Sequence, residues 1–419
     1  MSRRPVGILW LALVCLAPWS PAHAQSAPPA APSVATFDLV YDVRLVPTEG
    51  VAHVSIRLRD PANEVVTLSF RIDRERQRDF RGSGTVTPSA EGDRIEWRPP
   101  DSGGTLRYAV RIDHLRNEKS YDARIAPDWA IFRGDDLVPP VRLRSMTLSE
   151  SRASLRMRLP KGWRAVAAYP HSADGVFKID HPHRRFDRPT GWFAVGRLGV
   201  LRERVAGAHV AVAAPIDQRL HRLDRLALLR WTLPVLREIV GDLPERLLVV
   251  GAGDPMWRGG LSGPSSVFLH ASLPLISRDG TSSLLHELMH ATLGISAAPG
   301  GDWIVEGLAE LYSLELLVRS RTLSKKRYEK ALTHLADRGR HARKLEVERS
   351  TGATTARAVT VLHALDGEIR EGSEGARSLD DVVRILFQQR GDVTTRRLRR
   401  IAEDLSGRKL RAFFRRQVG

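Results

Sequence analysis

Apolar residues recur at every second position in run after run between residue 37 and about residue 214. Leu39, Tyr41, Val43 and Leu45 form one such run. Val54, Ile56 and Leu58 form another, as do Val66, Leu68, Phe70 and Ile72. Leu106, Tyr108, Val110 and Ile112 follow, then Ala153, Leu155, Met157 and Leu159. A period of two puts one set of side chains on one face of a strand. Turn-forming residues separate the runs, for example Pro47-Thr48-Glu49-Gly50 and Ser102-Gly103-Gly104. Short alternating strands at this spacing predict an antiparallel, sandwich-like β domain over residues 37–214.

Near Pro215 the period becomes helical. Asp217 is placed to cap a helix carrying Leu220, Leu223, Ala227 and Trp231, with Pro234 expected to kink it or end its first section. Residues 247–250 read as a short buried strand, 259–263 as a glycine-rich turn, and 266–270 as an edge strand. Beyond residue 320 the pattern predicts helices over 325–336, 356–369, 379–389 and about 396–405. The expected fold class is α+β and multidomain: the β-rich domain, a second domain over 215–320, and a basic helical subdomain over 321–419.

The first 24 residues have the form of a secretory signal peptide. Arg3 and Arg4 precede a short apolar run at 6–17, and Ala22-His23-Ala24 is a small-x-small cleavage site. The expectation is export to the periplasm or beyond as a soluble protein. Residues 25–36, rich in Ala, Pro and Ser, read as a disordered leader. Cys15 is the only cysteine, and it lies inside the signal. Any metal site must therefore draw on His and carboxylates. The net charge is +17, and residues 321–419 hold 24 Lys/Arg against 13 Asp/Glu. The main reading is solvated helix faces, with weak attraction to anionic membrane surfaces as the functional one. Nucleic acid is set aside, because few aromatics such as Phe413 and Phe414 interleave with the arginines. The sequence does not specify an oligomeric state.

Against this background one pentapeptide stands out. His286-Glu287-Leu288-Met289-His290 lies in an apolar helical segment, 284–293. Positions i and i+4 of a helix share a face, about 5–6 Å apart at Cβ. Two imidazoles so spaced can reach one Zn²⁺ through bonds of about 2.0–2.1 Å. Glu287 beside them is placed to act as general base toward a zinc-activated water. Fifteen residues separate His290 from Glu306 in Trp303-Ile304-Val305-Glu306-Gly307. A helix ending near Gly294, a turn through Pro299-Gly300-Gly301 and a second helix capped by Asp302 fit that gap. Glu306 then becomes a third ligand, leaving a fourth position open. Glu310, one turn on, is placed to accept the other N–H of a ligand imidazole. The bland alternative is an amphipathic helix with two unrelated histidines. His181, His183, His221, His334 and His341 lie in polar settings and are expected to be solvated, and His270 reads as a strand-end residue.

The pairing of His286-Glu287-x-x-His290 with Trp303-x-x-Glu306-Gly307 resembles the gluzincin metallopeptidases. A secreted β-rich domain ahead of it is most similar to the glycyl aminopeptidase family, whose members often carry a PDZ domain. The aminopeptidase N group shares the same core. The resemblance implies a thermolysin-like, mostly helical zinc peptidase domain, one Zn²⁺, and a peptide or protein substrate. Backbone groups at Gly259, Gly260 and Leu261 are candidates for holding that substrate by strand addition, against the plain alternative of a tight turn. Three departures accompany the resemblance. Ser262 stands where the family has a Glu that holds the substrate's free amine. Thr355 and Arg357 stand at the positions of an oxyanion-stabilising Tyr and a Lys, and no Tyr follows Tyr328; Arg357 and His363 are the candidate replacements. The chain also leaves no room for a PDZ domain. The alternative reading is a catalytically weak or inactive peptidase-like protein that binds peptides or envelope partners.

Overall fold

The computed structural model describes residues 34–181 and 184–418. The expected signal peptide and most of the leader lie outside the described residues; residues 35 and 36 already belong to the first strand. Strands β1 (Ala35–Val46), β2 (Val51–Arg59), β3 (Gln77–Gly82), β4 (Gly103–Arg111), β5 (Ser149–Arg158) and β6 (Phe177–Ile179) form a six-stranded sheet in the order β6-β5-β1-β2-β4-β3. Alternation works here as expected: Phe37, Leu39, Tyr41 and Val43 of β1 point into the core, while Asp38, Asp42 and Arg44 point out. The sheet is not wholly antiparallel, however. β1 runs parallel to β5, from Ala35 opposite Ser149 to Arg44 opposite Arg158. Period two reports a strand's faces and is blind to its neighbour's direction.

A four-stranded sheet contributes Leu68, Phe70 and Trp97 to the same apolar core. A five-stranded sheet that includes Trp129–Arg133 and Trp192–Gly196 has a second role. Its Trp129, Ile131, Trp192 and Ala194 pack with Leu248, Val250 and Phe268 of the next layer.

That next layer is a mixed sheet of β7 (Leu198–Val205), β8 (Ala208–Pro215), β9 (Arg246–Ala252), β10 (Gly260–Gly263) and β11 (Ser266–His270), in the order β7-β8-β9-β11-β10. Strands β7 and β8, expected to finish the N-terminal β domain, thus belong with the second half of the chain. Residues 259–263 are not a turn: β10 is the edge strand. Ser266–His270, expected at the edge, is interior and buried throughout. The chain reverses instead at Pro264-Ser265, where Ser265 has φ +50°.

Helix α1 (Arg222–Val240) crosses over between the parallel strands β8 and β9. It begins after Asp217, which does not cap it, and continues through Pro234. Leu226, Leu229, Leu233 and Leu236 are buried, whereas Leu223 and Trp231 are 61% and 59% exposed. The sequence carries two apolar stripes on this helix, and packing selected the other one.

Helices α2 (Ser283–Leu293), α3 (Asp302–Arg319), α4 (Lys325–Gly339), α5 (Ala353–Gly372), α6 (Leu379–Gln389), α7 (Thr395–Ser406) and α8 (Arg411–Gln417) complete the chain. Their apolar faces join β8, β9 and α1 in one cluster that runs from Val205 to Val418. The basic helices beyond 320 therefore share the core of residues 215–320 rather than forming a subdomain of their own. From Ala35 onward the fold is α+β and forms one compact unit. Among the described residues no helix is long and apolar enough to cross a membrane.

Candidate metal centre

Helix α2 presents His286, Glu287 and His290, and buries Leu284, Leu285, Leu288 and Met289 on its other faces. It ends at Gly294, whose φ of +56° forms a left-handed cap. Helix α3 then supplies Glu306 and Glu310. Asp302 is its first residue rather than its cap. The Asp302 carboxylate accepts the Ser350 N–H at 2.5 Å, which ties the loop before α5 to the start of α3. Gly307 sets how near that helix comes. A Cβ there would lie 2.8 Å from both the Ala358 Cβ and the Leu362 Cδ1 of α5.

The three ligand candidates converge. His286 Nε2 and His290 Nε2 are 3.1 Å apart. Glu306 lies 3.4 Å from the first through Oε2 and 3.5 Å from the second through Oε1. A tetrahedral ion with bonds of about 2.0–2.1 Å holds its ligand atoms about 3.3 Å apart. The two imidazole nitrogens are close to that spacing, the two carboxylate contacts run through different oxygens, and one ligand atom from each residue lies within 4.8 Å of the others, so the donor set can close on one zinc ion. Glu310 Oε2 sits 2.8 Å from His286 Nδ1, which turns Nε2 toward the shared point.

The metal-free electrostatics tell the same story. Burial depresses both imidazoles. At His286 the hydrogen bonds to Glu306 and Glu310 outweigh burial and push the ring up to about 10. His290 lacks such partners and has His286 beside it, so it falls to about 4. Burial opposes ionisation of Glu306, but the His286 hydrogen bond, both rings and the Arg349 guanidinium hold its carboxyl below the ordinary value.

Glu287 lies against strand β10. Burial raises its carboxyl above the usual range, and His286 and donors on Ser262 oppose that rise. The strand can come this close only because position 260 has no side chain: a Cβ on Gly260 would be 2.5 Å from Glu287 Cγ. Gly260 therefore serves close approach. The His270 N–H donates to the Gly259 carbonyl at 3.0 Å, so Gly259 faces inward and Gly260 presents its polar groups outward. The N-terminal β layers clamp the strand. Trp192 Nε1–H donates to the Leu261 carbonyl at 2.9 Å, and Arg133, stacked 5.0 Å over the Trp192 ring, donates to the Ser262 carbonyl. Neither clamp residue carries a sequence signal, because each acts across a large chain separation.

Among the described residues no hydrogen bond joins either oxyanion candidate to the three ligand residues. Arg357 donates to the carbonyls of Ala342 at 2.7 Å, Arg343 at 3.0 Å and Gln417 at 2.8 Å, so it fastens the C-terminus to the loop after α4. His363 is exposed on α5, next to the buried Leu362 that packs toward α3. Arg349, which the sequence did not mark, is the cation that acts on Glu306. His270 is buried, with Nδ1 2.7 Å from the Ser272 hydroxyl and Nε2 3.5 Å from Asp254, and anchors its strand end. His221, His334 and His341 are exposed. His181 is not solvated: its Nε2 meets the Tyr169 hydroxyl at 3.1 Å and the Arg188 carbonyl at 3.0 Å. His183 lies outside the described residues.

The fold is shared with solved structures. One is an aminopeptidase N family protein from Idiomarina loihiensis: 15% identity and a TM-score of 0.63 over 84% of this chain and 70% of that one. Another is a mutant of an M1 zinc metallopeptidase from Deinococcus radiodurans: 16% identity and a TM-score of 0.58 over 92% and 94% of the two chains. No family model matches the chain, and no curated protein does. At these identities the likeness establishes the fold.

Proposed function

We propose that this protein is a zinc-dependent peptide hydrolase whose ion is held by His286, His290 and Glu306. The observation that carries the reading is the convergence of those three residues, with one ligand atom from each within 4.8 Å of the others. The fold it shares with zinc metallopeptidases supports the reading. The metal's contribution is Lewis acidity, which acidifies a water and polarises a carbonyl. Glu287, buried and adjacent to the ligands, takes a proton from the attacking water and returns it to the leaving amine. Glu310 fixes the tautomer and orientation of His286. Gly260, with outward N–H and C=O groups on an edge strand, holds an extended peptide by strand addition.

Ser262 is neutral, so it can accept a hydrogen bond from a free ammonium but cannot supply the carboxylate charge that would pair with it. We therefore expect cleavage that does not require a free N-terminus, a departure from the glycyl aminopeptidase pattern. Export through the N-terminal 24 residues belongs to the same proposal. The second reading is a peptide-binding protein with weak turnover. It is favoured by Arg357, whose guanidinium is committed to three main-chain carbonyls instead of the centre.

Purified protein should carry about one zinc per chain, and His290→Ala should lose it. Glu287→Gln should keep the metal and fail to cleave a diverse peptide library that wild type cleaves. A metal-free wild type would sink the zinc assignment. Equal inertness of wild type and Glu287→Gln, with zinc present, would favour the binding protein.

A further inference from the structure

The outer face of the six-stranded sheet is crowded with arginine. The inward positions of β1, β2 and β4 fill the core, which turns Arg44, Arg57, Arg59, Arg107 and Arg111 outward, and Arg81 stands beside them on β3. All six are exposed. Among the described residues none of the six forms an ion pair. The nearby acids are paired with other arginines: Asp38 with Arg152 at 3.0 Å, Asp42 with Arg158 at 2.7 Å, and Asp79 with Arg78 at 3.7 Å.

The strand register places like charges face to face. Arg44 is directly opposite Arg158, and Arg107 is directly opposite Arg81. Such pairs destabilise a sheet, and an anion lying between them reverses the sign. The face has a seat for one. A depression of about 240 Å³ opens where the outward residues are small, at Ser55 and Ala109; Arg44, Arg81, Arg107 and Arg158 line it, together with Asp42 and Asp79, whose charges are met by Arg158 and Arg78 and leave the seat net positive. Guanidinium groups match phosphate oxygens through paired hydrogen bonds. The outward positions of these three strands carry no Phe, Tyr or Trp on which bases would stack. A broad, charged sheet face with one shallow seat suits a planar, phosphate-bearing partner.

We propose that this face docks the protein onto an anionic phospholipid surface, with one headgroup phosphate in the depression. The test is cosedimentation at low salt with vesicles of phosphatidylcholine, with and without phosphatidylglycerol. Wild type should bind only the anionic vesicles, and salt should release it. Arg44→Gln/Arg107→Gln should weaken binding about 30-fold, at roughly fivefold per arginine. Arg396→Gln/Arg400→Gln, the same charge change on exposed positions of α7, should leave it unchanged. If the first pair fails to fold by circular dichroism, Arg57→Gln/Arg111→Gln takes its place. Equal weakening by both pairs would show a response to net charge and overturn the proposal. So would loss confined to the α7 pair, or no binding by wild type. Tighter binding to duplex DNA at the same salt, with the same arginine dependence, would make nucleic acid the occupant and also overturn it.

Discussion

Glu310 shows how one side chain outside the ligand set can govern a metal site. It touches no shared ligand point, yet its 2.8 Å contact decides which His286 nitrogen faces Glu306. Glu310→Gln should therefore fold normally and lower zinc affinity about 10–100-fold, read by competition with a chromogenic chelator. Affinity equal to wild type would remove Glu310 from the centre. A second residue gives the molecule a pH signature. Burial lifts the Asp187 carboxyl to about 6 in the folded chain, although the His181 N–H donates to it at 2.9 Å. A raised carboxyl disfavours the ionised fold. The penalty is absent below about pH 4 and fully developed above about pH 6. Asp187→Asn should be the more stable protein at pH 7 by up to about 3 kcal/mol, with the advantage gone at pH 4. Denaturant midpoints at the two pH values check this, and an advantage independent of pH would refute it.

Among the elements, the crossing of α3 and α5 deserves the closest test. Trp303, Ile304 and Leu308 of α3 are fully buried, so the helix cannot slide to relieve a clash. Gly307→Ala puts a methyl where Ala358 and Leu362 already sit. Overpacking of this kind costs about 1–3 kcal/mol, and here it should also move Glu306. The expected result is a lower thermal midpoint together with weaker zinc binding. Loss of stability with zinc affinity intact would mean that the crossing does not position the ligand. This glycine was legible in the sequence only as the neighbour of Glu306; the need for it appears once α5 is in place. The same holds for Gly260, which reads as a turn residue and proves to be the flat bed of Glu287.

Across the whole molecule, the N-terminal β layers and the helical half are joined by apolar packing. Trp192 packs at a tilt against Phe268 with ring centroids 5.3 Å apart, and its indole N–H donates to the Leu261 carbonyl. Removing a buried Trp costs about 3–5 kcal/mol. Trp192→Ala should also free β10, lowering peptide cleavage while leaving zinc content unchanged. In calorimetry the single transition expected for wild type should separate into two. One sharp transition in the variant would show that the halves are coupled by other contacts.

What the sequence determined by itself was local. A period of two assigned the inward faces of β1, β2 and β4, and a spacing of four put His286 and His290 on one face of α2. These follow from backbone geometry and need no partner. The tertiary structure decided everything that depends on a neighbour far along the chain. It chose parallel pairing for β1 with β5, gave β7 and β8 to the second sheet, and selected which stripe of α1 is buried. It also committed Arg357 to three main-chain carbonyls and brought Arg133 and Trp192 to strand β10. Residue patterns carry no information on those choices, because each is settled by which surfaces pack together.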